Sequence, residues 1–146
     1  MRKQILIKSM FLLLPVLAVG LATTKDSVMV FDPAAGSTEY FSYFDQLPVA
    51  QFQLLLPLVG MLCAVVGILA VIYLVSKKNR FLRSSSFVAL AASAMAVLPM
   101  VIAADVKVVP NVGVPVLMFV HYVMAYHWSG EGQKQLQEKE GRRLKR

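Results

Sequence analysis

Residues 52 to 75 read FQLLLPLVGMLCAVVGILAVIYLV, and residues 76 to 80 that follow read SKKNR. The apolar run holds no ionisable side chain except Cys63 and Tyr73, and it exceeds the about 20 residues a helix needs to cross a bilayer's hydrocarbon core. The basic stop after it resists translocation and belongs inside. Residues 52–75 therefore predict a transmembrane helix entering from outside, and 76–86 a basic inner loop with Lys77, Lys78, Arg80 and Arg83 and no acid.

Three more apolar runs flank this one. Residues 5–22 follow Arg2 and Lys3 and contain Lys8, whose stem is long enough to return its ammonium to the headgroups. Two readings of this run stay open: a retained first helix, or a signal peptide cut after Ala22. Retention is preferred because a four-helix bundle buries its members better. Residues 87–104 are rich in Ala, Ser, Val and Met. Residues 109–128 end with Tyr122, Tyr126 and Trp128, the aromatic belt of an interface. The expected fold class is thus an all-α membrane protein, a bundle of about four transmembrane helices spanning residues 1–128, followed by a basic flexible cytoplasmic tail at 129–146.

Composition agrees. Of 146 residues 58% are hydrophobic and 16% charged, and the net charge of +7 sits in the gaps between apolar runs, where it orients helices and does not mark nucleic-acid binding. Residues 23–51 carry Lys25 against Asp26, Asp32, Glu39 and Asp45, so they form an outer loop. The expected location is a cell membrane, crossed several times, with both termini cytoplasmic if the first helix is retained; a bacterial inner membrane is the working assignment.

Within the outer loop, 27–31 and 39–44 are rich in β-branched and aromatic residues, and the turn formers 32–37 (DPAAGS) lie between them, which predicts a small β-hairpin. An isolated hairpin is marginal in water. Phe31, Tyr40, Phe41, Tyr43 and Phe44 are therefore expected at the outer ends of the helices, as interface anchors or as an outer docking surface.

Small residues recur three and four apart in the second run (Gly60, Cys63, Ala64, Gly67) and the third (Ala89, Ala91, Ala92, Ser93, Ala94, Ala96), which predicts close helix contact, with these two helices central. Pro15, Pro57, Pro99, Pro110 and Pro115 predict irregularity in the outer half, opening there as a shallow cavity or groove.

The chemistry expected is sparse. No Asp, Glu, Lys or Arg lies deep in any run, and this removes the charge that coupled carriers use. His121 is the one intramembrane polar candidate, expected to hydrogen-bond a neighbouring group. It cannot share one haem iron with His127 on the same helix, because six residues turn by about 240°. The lone Cys63 has no partner in the chain for a disulfide, and a zinc site would need more ligands. Ser84, Ser85 and Ser86 read as a helix N-cap region. Lys77, Lys78, Arg80 and Arg83 are candidates for lipid headgroups. No catalytic residue, metal ligand or cofactor is expected.

The layout, with a structured first outer loop and short later loops, resembles that of claudin-like tetraspan proteins, but their tryptophan and paired-cysteine signature in the first loop is missing, so the likeness is of layout alone. The expected role is a noncatalytic accessory or subunit protein whose partners are the lipid bilayer and another membrane protein, or itself. The alternative is a small oligomeric channel, holin-like protein or facilitator.

Overall fold

The computed structural model describes the backbone of residues 2–102 and 106–143 and the side chains of 8–50, 52–102 and 106–130. Four helices carry the fold: α1 (Arg2–Thr23), α2 (Leu55–Ser76), α3 (Asn79–Ile102) and α4 (Gly113–Arg143). They form a ring in which α1 packs on α2 and α4, and α3 packs on the same two neighbours. All four therefore share the interior, and α2 and α3 hold no privileged central place.

The inward faces are built from the small residues. Ala18 and Ala22 of α1, Cys63 and Ala70 of α2, Ala89, Ala92 and Ala96 of α3 and Ala125 of α4 are all fully buried. Small side chains let helix backbones approach closely, which is how helices associate where no water drives them together. Phe11, Leu56, Leu82 and Met118 fill the space between them, and many other large apolar residues face outward: Leu13 and Val16, Met61 and Ile68, Phe87 and Val101, and Phe119 and Val123 are exposed on the four helices in turn. Among the described residues, α2 and α3 are long and apolar enough to cross a membrane, and Lys8–Thr23 is a shorter apolar stretch.

At one end of the ring lies a three-stranded sheet: β1 (Val28–Asp32), β2 (Ser37–Phe41) and β3 (Lys107–Pro110), in the order β2-β1-β3. The hairpin is the expected one. Its turn is closed by the Asp32 carboxylate, which accepts hydrogen bonds from the Ala34 and Ala35 amides, and by Gly36 at φ 63°, a conformation glycine adopts without steric cost. Both outer strands run antiparallel to β1, with Val30 opposite Glu39 on one side and Val108 on the other.

Several boundaries differ from the sequence reading, among them the start of the second helix, which lies at Leu55 after a single turn at Ala50–Phe52 and not at 52. The fourth helix begins at Gly113, because Val109 and Pro110, expected inside it, belong to β3. The 76–86 loop shrinks to Lys77 and Lys78, and Ser84, Ser85 and Ser86, expected as caps, lie well inside α3. Lys77 ends α2 in the left-handed conformation at φ 55° with its N–H donated to the Tyr73 carbonyl at 2.7 Å, which reverses the chain in two residues. The backbone of the tail continues α4 to Arg143, beyond the expected end at Trp128. The expected end of the third helix at Ala104 and the last residues of the tail, 144–146, fall outside the described residues.

The prolines fit the helices more smoothly than expected. Pro57 and Pro115 occupy first turns of α2 and α4, where no intrahelical donor is lost. Pro15 and Pro99 lie within helices, and both are buried.

Candidate functional site

Two places concentrate polar or aromatic chemistry. The first is inside the bundle, at the end away from the sheet. His121 of α4 and Ser85 of α3, both fully buried, are joined by a 2.7 Å hydrogen bond between Nε2 and Oγ. Phe11 of α1 meets the His121 ring edge-on at 6.0 Å and the Tyr73 ring of α2 at 6.1 Å. Trp128 closes the layer, its Nε1–H donating to the Tyr73 hydroxyl at 3.2 Å. The first three helices thus supply one member each of a contiguous layer, and α4 supplies two. His121 Nδ1 has no hydrogen-bond partner among the described residues. The expectation that His121 pairs with a neighbouring hydroxyl describes its Nε2. A rotation about α4 separates it from His127, which is exposed. No group of three potential metal ligands converges among the described residues.

A second buried polar contact ties the same two helices nearer the sheet, where the Ser93 hydroxyl donates to the Pro115 carbonyl at 2.9 Å. Sequence reading could not find either partner. Ser85 lies 36 residues before His121 and looks like part of a polar loop until the helix is seen to run through it.

The second place is the sheet end. The five aromatic residues expected to form one docking surface divide in three. Tyr40 and Phe44 are exposed at 58% and 44%, and Phe31 and Phe41 are half-buried. Tyr43 is fully buried, its amide donating to the Ala22 carbonyl at 3.0 Å, so it plugs the end of the bundle and leaves the surface. Its hydroxyl has no partner among the described residues, and burial pushes the phenol pKa well above its ordinary value, with Cys63 adding to the rise. Phe44 lies so close over Gly60 that a Cβ there would overlap its ring.

What the sequence did not disclose is how the connection after α1 and the one before α4 join. Beyond the β1–β3 pairing, the Asn111 amide donates to the Ser27 carbonyl at 2.6 Å, and Asn111 Oδ1 accepts from the Gly113 amide at 2.7 Å where α4 begins. The sheet is therefore a plate fastened to α1, α3 and α4, with β2 as a solvent-facing edge. A shallow cleft of about 220 Å³ on it holds Asp32, Ser37 and Glu39 against Val30 and Val49.

The four basic candidates come together at the α2–α3 turn. Lys77 and Lys78 are exposed, while the Arg80 guanidinium stacks over Phe81 at 4.9 Å and that of Arg83 over Phe87 at 6.0 Å.

No family model matches the chain, and neither the curated proteins nor the solved structures contain a match to it.

Proposed function

We propose that this chain is a multi-pass membrane protein with four spanning helices, its sheet outside and its basic turn and tail in the cytoplasm, acting as a noncatalytic accessory subunit that binds another membrane protein. The inside-out distribution of side chains supports the placement: serines and His121 are turned inward, and large apolar residues are turned outward on all four helices. The burial of Phe11, Leu14 and Ala18 in the ring supports retention of the first helix over its removal.

The observation that carries the accessory role is the fastened sheet. Two separate outer connections are held as one plate that presents Tyr40, Phe44 and the unpaired edge of β2. An ordered edge with exposed aromatics is suited to receive a partner strand or loop, with main-chain hydrogen bonds giving affinity and side chains giving specificity. A path through one chain has no support, since Val59, Val66, Met118 and His121 fill the interior.

The test is site-specific photocrosslinking from position 40 at native expression, with position 123 on the outer face of α4 as control. A single partner membrane protein captured from position 40 and not from 123 is the expected result. Products containing only copies of this chain would favour the oligomeric channel or facilitator, and liposome flux would then be measured.

A further inference from the structure

The outward face between α1 and α2 is not smooth. A groove of about 400 Å³ runs between them, walled by Leu12 and Val16 of α1 and by Ile68 and Val71 of α2, with Pro15 and Gly67 at its floor. Gly67 opens it, since its absent side chain would stand 3.7 Å from Pro15. A second hollow of about 520 Å³ shares Leu12 and Val16 with the first and extends it to Lys8, beside Leu74.

The two ends differ. Toward the sheet, the groove stops near Val19, where Tyr43 is bonded to Ala22 and Phe44 covers Gly60. At the other end the lining turns polar at Lys8, and α2 ends just beyond in Lys77 and Lys78. The described carboxylates Asp26, Asp32, Glu39 and Asp45 all lie at the opposite, sheet end, so none of them neutralises Lys8.

Resting on the membrane placement proposed above, we infer that the α1–α2 groove holds one acyl chain of an anionic phospholipid of the inner leaflet, whose phosphate is held by Lys8. From Lys8 to Val19 the helix rises about 16 Å, about half of a hydrocarbon core of about 30 Å. That is the reach of a single leaflet, whereas a partner helix would continue across both. The walls are apolar where an acyl chain would lie, and the cation stands where the stem of Lys8 returns to the headgroups. Charge selects the lipid, because an ammonium with no carboxylate beside it among the described residues favours a net negative headgroup over a zwitterionic one.

The full-length protein, purified in mild detergent, is given equal amounts of dioleoyl phosphatidylglycerol and dioleoyl phosphatidylcholine, and retained lipid is counted by native mass spectrometry. The expected result is one phosphatidylglycerol kept per chain in preference to phosphatidylcholine. Lys8→Gln lowers its retention about fivefold, Ala64→Leu fills the exposed groove wall and lowers it too, and Lys25→Gln, exposed at the sheet end, leaves it unchanged. Equal retention of the two lipids, indifference to Lys8→Gln, or a loss on Lys25→Gln alone would overturn the inference. So would an Ala64→Leu change that dissociates a dimer and leaves lipid binding intact. Alkaline carbonate extraction separates the two proposals: protein released from membranes defeats both, and protein retained without lipid preference defeats only this one.

Discussion

Ser85 and His121 meet at 2.7 Å with both side chains fully buried, and among the described residues the imidazole makes no other hydrogen bond, since Nδ1 has no partner there. Hydrogen bonds between membrane helices average about 0.6 kcal/mol, because the groups find other partners when the bundle opens. Here the native alternative to the bond is a buried imidazole with both nitrogens unpartnered, and leaving buried groups unmet costs about 1–3 kcal/mol. The desolvation cost decides the outcome. Ser85→Ala is expected to destabilise the bundle by about 1–2 kcal/mol, and His121→Leu/Ser85→Ala by less than the sum of the single changes. Unfolding of the four proteins in a double-mutant cycle measures the coupling; additive losses would show that the bond contributes nothing.

Tyr43 separates volume from polarity. Its ring fills the sheet end of the core, so Tyr43→Ala is expected to cost about 3–5 kcal/mol. Tyr43→Phe keeps the ring and removes a hydroxyl that has no partner, and it is expected to be neutral or stabilising. The pH dependence follows from the raised pKa. An acid whose folded pKa exceeds its unfolded value contributes stability that is present below the unfolded pKa, 10.0, and falls as pH rises above it, because the unfolded chain then releases a proton that the folded chain keeps. Stability of the native protein should fall more steeply from about pH 10 upward than that of Tyr43→Phe. Parallel curves would mean that the phenol is solvated.

The sequence disclosed elements whose signal is local. Asp32 to Ser37 is a turn in its own residues, and the apolar runs mark helices by hydropathy alone. The missed features are those whose signal depends on distant partners. Val108 and Val109 continue an apolar run that serves a strand or a helix equally well, and only pairing with Met29 and Val30 makes them β3. Asn79 to Ser86 is polar, so hydropathy starts the helix too late, although those residues are good enough helix formers once α2 is next to them. Tyr43 carries the same aromatic label as Tyr40 and Phe44, and its burial follows from chain direction after Phe41.

Lys77 offers a test of the two-residue turn. A side chain in the left-handed region costs about 1–2 kcal/mol relative to ordinary backbone, and glycine avoids that strain while losing more entropy on folding. Lys77→Gly is expected to stabilise the bundle by about 0.5–1 kcal/mol, whereas Lys77→Ala, which keeps a Cβ, is not. Thermal unfolding of both variants measures this, and equal shifts would trace the effect to the lost charge.

The sheet can report both its own pairing and the side of the membrane it occupies. Met29 and Val109 are direct partners across β1 and β3, and directly opposed residues of an antiparallel pair have Cα atoms about 4.5–5.5 Å apart, within the span of a disulfide. In a Cys63→Ala background, Met29→Cys/Val109→Cys is therefore expected to crosslink rapidly when the purified protein is oxidised, and Met29→Cys/Val112→Cys, which lacks that pairing, much less. In cells the same pair discriminates location, because disulfides persist in oxidising compartments and are reduced in the cytosol. A crosslink found in alkylated, non-reduced cell extracts puts the plate outside, where it can meet a partner. A pair that forms only with added oxidant keeps the fold but reverses the orientation, and with it the accessory role argued from Tyr40 and Phe44.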